Sequence, residues 1–326
     1  MGAAACRAVV ALSKFGSGPD HARYQRWSCW TLGQSASSRA RPPVVPEKSG
    51  LNCVPPRAAG IIRLRSVWRL RERLVGFLAR IFSVHSFRGG TGKSNTSASL
   101  AVIFASRGLR VGVIDTDIQS PGLHVLFGLK GSEVTHSLND YLWGKSTIAE
   151  TAHPVLEGQL PGQIYLIPSS VRPDEIVQVL RQGYDMRKLT AAFRDLSSEL
   201  NLDILLIDTH PGLNEETLFS LAISTAVLIV LRPDQQDYEG TGVTVDIARS
   251  LEVPRILLLI NKAPRDYEPA QLKQSVEQTF KCEVAGVLAH DDEMLKLGSR
   301  EVFVLHHRDH PISQSLEAVA DRLMDG

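Results

Sequence analysis

Apolar runs of strand length recur along the chain from Ile81 onward and alternate with stretches of helical character. The runs are "IFSVHSF", "RVGVIDTD", "QIYLIPSS", "LDILLIDT", "AVLIVLRP", "RILLLINK" and "EVAGVLAH". Continuous runs of Val, Ile and Leu indicate strands buried on both faces, and hence a mostly parallel sheet. Their alternation with helices, expected at 94–106, 174–181, 187–200 and 271–280, predicts one doubly wound α/β domain.

The first 77 residues differ in texture from the rest of the chain. Residues 1–80 carry 14 Lys/Arg and three Asp/Glu, a net charge of +11, whereas residues 81–326 carry a net charge of −10. Residues 1–60 show no hydrophobic periodicity and are interrupted by "RARPPVVP" and "CVPPRAAG". We therefore expect a poorly ordered basic extension over residues 1–77 and an α/β domain over residues 78–326.

The extension has three interpretations. Residues 61–80, "IIRLRSVWRLRERLVGFLAR", place apolar side chains among six arginines, a pattern typical of a basic amphipathic helix at a membrane surface. The first interpretation is a transit peptide, and the second is a membrane or polyanion anchor. We favour the third, a translation start assigned too early, with the true start near Leu78, because charge and cysteine usage change abruptly there. Any membrane contact is expected only through this extension.

Cysteine usage bears on metal chemistry and on location. Cys6, Cys29 and Cys53 lie in the first 80 residues, Cys282 is alone afterwards, and no CxxC pair occurs. This disfavours a metal or iron–sulfur site built from this chain alone. A single cysteine in the main body fits the reducing cytoplasm, where we expect the protein, peripheral to the plasma membrane only if the extension binds it.

The stretch "SFRGGTGKSN" follows a predicted strand and opens a predicted helix, the context of a phosphate-binding loop. Glycines let backbone N–H groups face a phosphate, and the helix N-terminus adds its positive dipole end. Lys93 is expected to reach the β- and γ-phosphates, and Ser94 to offer its hydroxyl to Mg²⁺. The predicted nucleotide-binding residues of the loop are Gly89, Gly90, Thr91, Gly92, Lys93, Ser94 and Asn95.

Further polar residues follow three other predicted strands. Asp115 and Asp117 lie in "VIDTD", Asp208 ends the strand of "LLIDTHPG", and Asn261 ends that of "LLLINKA". Side chains at the carboxyl ends of parallel strands face the crevice where ligands bind. We expect Asp208 to hold Mg²⁺ through water and Asn261 to bind the adenine edge, although Asn also favours turns.

With these motifs in order, residues 81–325 resemble the MinD/ParA family of P-loop ATPases. The family's deviant Walker motif runs Lys-Gly-Gly-x-Gly-Lys-Ser/Thr, and "IPSSVRPDE", "LRPDQQDYEGT" and "LAHDDEMLKLGSREVFV" also fit the family in order. The resemblance implies a SIMIBI-type P-loop NTPase fold with ATP and Mg²⁺ as ligands. It also implies a slow ATPase that forms a homodimer with ATP and reopens when a partner triggers hydrolysis.

The loop departs from the family at its start. The commonest phosphate-binding loop begins with glycine where this chain has Phe87, and the family's first lysine is replaced by Arg88. By resemblance, Arg88 crosses the dimer interface and touches the phosphates bound by the other subunit, and its planar guanidinium suits phosphate oxygens. The alternative is a loop arginine that neutralises only its own nucleotide.

The resemblance also assigns the switch residues. Asp117 matches the carboxylate that positions or activates the attacking water, and Asp115 belongs to the same switch. Asp208 and Gly212 form the second switch. His210 stands where the family has a small residue or proline, and we favour a histidine packed on the loop over a catalytic one.

The partner is inferred by elimination. No basic extension follows "SLEAVADRLMDG", so a MinD-type membrane anchor is not expected there, and "LHHRDHP" is expected to be a solvated loop rather than a metal site. DNA binding requires clustered Lys/Arg, whereas residues 280–326 hold five basic and nine acidic side chains. A protein activator or cargo remains, which favours positioning of a cellular assembly, as in cell division or chromosome partitioning.

Two other functions stay as alternatives. A small-molecule ligase of the same fold would need a substrate pocket that the sequence does not identify. A non-hydrolysing nucleotide-binding scaffold would lack motif residues, whereas Lys93, Ser94, Asp117 and Asp208 are all present.

Overall fold

The computed structural model describes residues 79–325, apart from the side chains at positions 180, 186, 187 and 190. The expectations about residues 1–77 concern the boundary after residue 77, the basic amphipathic helix and the position of the start. They all fall outside the described residues.

Eight strands form one sheet in the described part of the chain. They are β1 (Arg80–His85), β2 (Arg110–Asp115), β3 (His153–Val155), β4 (Gln163–Ile167), β5 (Ile204–Asp208), β6 (Ala226–Leu231), β7 (Arg255–Ala263) and β8 (Glu283–Ala289). Their order across the sheet is β3-β4-β2-β5-β1-β6-β7-β8. All pairings are parallel except that of β3 with β4 at one edge. The predicted mostly parallel sheet is confirmed.

Helices connect the strands. They are α1 (Lys93–Ser106), α2 (Leu123–Leu126), α3 (Leu138–Leu142), α4 (Pro173–Gln182), α5 (Met186–Glu199), α6 (Glu215–Ile223), α7 (Gln235–Ser250), α8 (Pro269–Phe280), α9 (Asp292–Leu297), α10 (Phe303–His306) and α11 (Pro311–Met324). Proline opens α4, α8 and α11, where its missing N–H costs no intrahelical hydrogen bond. The four expected helices are confirmed, with ends within two residues of those predicted.

The sheet is buried on both faces, and its strands alternate between two hydrophobic layers. Phe82 and Val84 of β1 pack into the layer that contains α1 and α11, whereas Ile81 packs into the layer that contains α5. Side chains along a strand point alternately to opposite faces, so continuous apolar runs are what a sheet covered on both sides requires. Within residues 79–325, no helix combines the length and apolar character needed to cross a bilayer.

Candidate functional site

The glycine-rich loop joins β1 to α1 at the centre of the sheet. β1 lies between β5 and β6, and the chain first fills the β5 side and later the β6 side, so the loop lies at a topological switch point. Gly90 and Gly92 have φ angles of 76° and 96°, which residues with a Cβ rarely adopt. A Cβ on Gly92 would also lie 2.3 Å from Asn261 Nδ2. The backbone at position 92 therefore favours glycine, and any larger residue there would have to displace Asn261.

Two side chains at the end of β7 hold the carbonyl groups of this loop. Asn261 Nδ2 donates to the Thr91 carbonyl at 2.7 Å, and Lys262 Nζ donates to the Gly90 carbonyl at 2.8 Å. In a planar trans peptide the N–H points opposite to the C=O, so the N–H groups of Thr91 and Gly92 point away from β7. Asn261 thus contacts the loop backbone, and its contact with adenine stays a prediction.

The start of α1 converges on Asp208 at the end of β5. Lys93 Nζ lies 3.1 Å from Asp208 Oδ1, and Ser97 Oγ donates to the same oxygen at 2.8 Å. Ser94 Oγ donates to Asp208 Oδ2 at 2.7 Å. Lys93 and Asp208 are both buried, so water screens their attraction little. The structure brings the predicted lysine, serine and aspartate together and adds Ser97, which the sequence analysis missed.

Asp115 lies directly beside Asp208, because β2 and β5 pair with these two residues in register. Its Oδ1 accepts the Asp117 N–H at 3.0 Å, and its Oδ2 accepts those of Gly122 and Leu123 at 3.2 and 3.3 Å. Burial, together with the Asp208 charge, raises the pKa of Asp115 to about 7. The Asp115 carboxylate therefore fixes the segment after β2 by accepting hydrogen bonds from the backbone N–H groups of that segment.

Asp117 lies beside His210, which follows β5. Asp117 Oδ1 accepts the Ser120 N–H at 3.1 Å and lies 3.7 Å from His210 Nε2. Burial raises the pKa of Asp117, an effect that the positive charge of Lys93 opposes. The expected packing of His210 on its loop is incomplete as a description, because the ring also faces the predicted water-activating carboxylate.

His85, at the end of β1, is a buried titratable group that the sequence analysis did not single out. Its Nδ1 lies 2.7 Å from Thr209 Oγ1. Burial lowers the pKa of His85 to about 3, and the nearby positive charge of Lys93 acts in the same direction. The imidazole is thus neutral near pH 7. Its place at the end of a predicted strand, just before the loop, was the available signal.

Arg88 contacts two acidic residues of its own chain. Arg88 NH1 lies 3.4 Å from Asp237 Oδ1 and 3.7 Å from Asp234 Oδ1, and the arginine side chain is 40% exposed. Arg232 binds the same two carboxylates, at 3.0 Å from Asp237 and 3.3 Å from Asp234. The predicted crossing cation therefore lies at the N-terminus of α7, beside a second arginine.

Phe87, which replaces the usual first glycine, packs against a glycine on α7. A Cβ on Gly240 would lie 2.0 Å from Phe87 Cδ1, so the ring fills the space that a side chain there would need. The loop after β5 is tied to the same segment, since the Gly212 N–H donates to the Ser86 carbonyl at 3.1 Å. Phe87 thus fixes the start of the glycine-rich loop against α7.

Asn95 and His310, which the sequence analysis singled out, lie apart from the residues that converge on Asp208. Asn95 Nδ2 donates to Ser299 Oγ at 3.2 Å on the surface, and its predicted nucleotide contact stays a prediction.

His310 Nδ1 accepts the Ile312 N–H at 3.2 Å and caps α11. Asp291, Glu293 and His310 lie near one another. Because His310 Nδ1 accepts, Nε2 carries the proton of the neutral ring, which does not suit a metal ligand.

A cavity of about 660 Å³ lies near the end of β7, and Ala263, two positions after Asn261 in the sequence, is one of its lining residues. It is lined by residues 263–269, which begin at the last residue of β7, by residues 287–291, which include the end of β8, and by the start of α11. Its volume lies in the range of small-molecule binding sites.

The residues around the loop fit a nucleotide phosphate with Mg²⁺. Thr91 Oγ1 is buried and has no hydrogen-bond partner among the residues described. Lys93 and the N–H groups of Thr91 and Gly92 supply donors suited to an anion. The Ser94 hydroxyl and the Asp208 carboxylate, 2.7 Å apart, are the oxygen ligands that Mg²⁺ prefers.

Comparisons with known proteins agree with this geometry. A family model described as an AAA domain matches residues 79–252. The chain is 27% identical over 260 residues to an uncharacterized ATP-binding protein of Methanocaldococcus jannaschii, an alignment that covers 77% of this chain and 90% of the relative. It is 26% identical over 254 residues to the flagellum site-determining protein YlxH of Helicobacter pylori, covering 75% of this chain and 82% of YlxH.

Among solved structures, the septum site-determining protein MinD of Pyrococcus horikoshii, complexed with Mg-ADP, superposes with a TM-score of 0.63 at 19% identity. The match covers 76% of this chain and 96% of that protein, and it shows the shared fold. The predicted fold class is confirmed. Since the family model spans more than half of the sequence, the chain belongs to the MinD/ParA family of P-loop ATPases.

Proposed function

We infer that this protein is an ATP-dependent dimerisation switch that binds and slowly hydrolyses ATP. The observation that carries the proposal is the convergence of Lys93 and Ser94 on Asp208, with Asp115 and Asp117 beside them. Lys93 and the loop N–H groups bind the phosphates, and the cavity beyond Asn261 receives the nucleoside. Ser94 and Asp208 would hold Mg²⁺, which would neutralise phosphate charge when bound.

The hydrolytic role falls to Asp117. Its carboxylate accepts a backbone N–H and still has free lone pairs, and its raised pKa makes it a better proton acceptor than an ordinary aspartate. Asp115 holds the segment that carries it. Because β2 and β5 are adjacent and parallel, the two switch segments begin side by side at the carboxyl ends of these strands. A ligand that contacts both segments can therefore favour one of their two conformations over the other.

Arg88 is the cation through which dimerisation completes the site. It is half-exposed and lies on the loop that binds the phosphates, so a second subunit can reach it. Its present contacts with Asp234 and Asp237 compete with that role. A guanidinium contributed by the other subunit would stabilise charge on the transferred phosphoryl group, and it would make hydrolysis depend on assembly.

The output of the switch is contact with a protein partner. The similarity to a flagellum site-determining protein supports a role in positioning a cellular assembly. The net charge of −10 over residues 81–326 argues against a nucleic-acid output and for a protein activator or cargo.

Nucleotide binding and phosphate release by the full chain test this function. We expect tight Mg-ATP binding and slow phosphate release by the wild type. Lys93→Ala should lose ATP affinity by a factor on the order of 100, because a buried charged donor to phosphate is removed. Lys273→Ala, a surface lysine on α8, is the matched control. Equal ATP binding by the two variants would contradict the proposed site, and binding without phosphate release would favour the scaffold alternative.

A further inference from the structure

The ring of His210 presents its Nε2 to the carboxylate of Asp117. His210 Nδ1 lies 2.6 Å from the Pro211 carbonyl oxygen. A carbonyl oxygen only accepts hydrogen bonds, so Nδ1 carries the ring proton. In the neutral imidazole Nε2 is then a bare acceptor. It lies 3.7 Å from Asp117 Oδ1, too far for a direct hydrogen bond.

Strand register accounts for this meeting. Asp115 and Asp208 are partners in β2 and β5, and Asp117 and His210 each lie two residues beyond them. The Thr116 N–H and hydroxyl both bind the Asp208 carbonyl at 3.0 Å, which keeps the two chain segments together past the strand ends. The facing of His210 and Asp117 is thus built into the sheet.

The backbone of His210 is held independently of its ring. The Thr209 N–H donates to the Val84 carbonyl at 3.2 Å, and the Gly212 N–H donates to the Ser86 carbonyl at 3.1 Å. Thr217 Oγ1 donates to the His210 carbonyl at 3.3 Å. These bonds fix the loop on both sides of His210, so a change confined to the ring leaves the loop supported.

Two acceptors at this separation suit one water molecule. Nε2 and Oδ1 can each accept a hydrogen bond of about 2.8 Å, so a water between them would donate both of its hydrogens. Its oxygen lone pairs then point away from the protein groups. The side chains of His210 and Asp117 are 22% and 12% exposed, so the position is open to solvent on one side.

We propose that His210 and Asp117 together hold the water that attacks the γ-phosphate, with His210 Nε2 as the second acceptor. This inference rests on the proposed ATPase function and names a catalytic residue of the same site. The water oxygen forms a bond to the γ-phosphorus as the bond to the β–γ bridging oxygen breaks. One water proton passes to the Asp117 carboxylate, and the products are ADP and phosphate.

Two substitutions separate this role from a packing role. His210→Asn keeps an amide donor near Nδ1 for the Pro211 carbonyl but removes the acceptor at Nε2. His210→Gln can place its amide oxygen near Nε2 but gives up the bond to Pro211. The water-binding role therefore predicts that Gln rescues activity better than Asn, whereas a role in loop packing predicts the reverse order.

The experiment measures phosphate release by the full chain in excess over Mg-ATP, with ATP affinity and solution mass measured alongside. We expect His210→Asn to lower the single-turnover rate roughly 10- to 100-fold with unchanged ATP affinity and mass. His210→Gln should retain most of the wild-type rate. His306→Asn, an exposed histidine on α10, is the matched control.

A second readout does not depend on activity. Ring-nitrogen NMR shifts of the wild-type protein should show the His210 proton on Nδ1 and none on Nε2, with the resonances identified by their loss in His210→Asn. A proton on Nε2 would overturn the proposal, as would a wild-type rate in His210→Asn. Loss of ATP binding or of dimer formation in that variant would assign His210 to structure instead. If the wild type dimerises with ATP but releases no phosphate, the hydrolytic function and this proposal both fail.

Discussion

At the scale of single residues, Gly92 is the point at which backbone conformation and the end of β7 meet. Its φ of 96° costs a residue with a Cβ about 1–2 kcal/mol, and the added Cβ would clash with Asn261 Nδ2 at 2.3 Å. Gly92→Ala should therefore displace Asn261 from the Thr91 carbonyl and abolish ATP binding, which calorimetric titration measures. Gly128→Ala has a φ of 71° without a clash and is the control. Equal ATP affinities for the two variants would contradict this account.

His85 makes stability depend on pH. Its pKa is lowered by burial from 6.5 to about 3, so between these values the unfolded chain binds a proton that the folded chain does not. The free energy of unfolding should fall as pH falls below 6.5, by up to about 1.4 kcal/mol per pH unit from this group. His85→Asn keeps a polar atom for Thr209 and does not titrate. Urea unfolding at pH 6.5 and 5 should show a smaller loss for this variant than for the wild type, and parallel losses would refute the assignment.

At the scale of elements, the contact of Phe87 with α7 couples the glycine-rich loop to a helix on the β6 side of the sheet. Alanine in place of a mid-helix glycine ordinarily stabilises a helix by about 1 kcal/mol. Gly242→Ala should follow that rule, because its Cβ would meet Phe280 at an ordinary 3.7 Å. Gly240→Ala should instead lower the melting temperature and weaken ATP binding, because Phe87 must move. If both variants melt higher than the wild type, the loop is not held in this way.

The elements themselves could be predicted where burial decides them. Continuous apolar runs predict the long strands because both faces of the sheet are covered. The three-residue edge strand His153–Val155 was missed, because it is short and contains Pro154. The loop and the three aspartates were also predictable, since glycine and strand-end carboxylates have few other reasons to follow such runs.

Contacts that depend on register and loop geometry could not be predicted in the same way. The facing of Asp117 and His210 follows from the pairing of β2 with β5, which no local pattern specifies. Asn261 was expected to bind a base, but whether its amide turns to a ligand or to the Thr91 carbonyl depends on loop geometry. The contact of Arg88 with Asp237 likewise joins residues 149 positions apart.

At the scale of the whole molecule, the ion pairs at the start of α7 should oppose dimer formation. Asp234 caps α7 by accepting the Asp237 N–H at 3.0 Å, and asparagine preserves such a cap. Asp234→Asn therefore removes charge beside Arg88 without removing the cap. It should tighten the ATP-bound dimer by up to about fivefold, given the modest strength of exposed ion pairs. Sedimentation velocity measures this, with Asp246→Asn on the same helix as the control. A weaker dimer would mean that Asp234 supports assembly.

The central claim is that ATP assembles two chains and that Arg88 completes the assembly. The measurement is the solution mass of the full chain by light scattering, first with Mg-ADP and then with Mg-ATP. The chain carries Asp117→Ala, because removing the proposed hydrolytic carboxylate should keep ATP intact during the measurement. We predict the 35.8 kDa of one chain with ADP and twice that mass with ATP, and partial or complete loss of the dimer when Arg88→Ala is added. A single-chain mass with both nucleotides would contradict the claim and leave ATP binding without dimerisation.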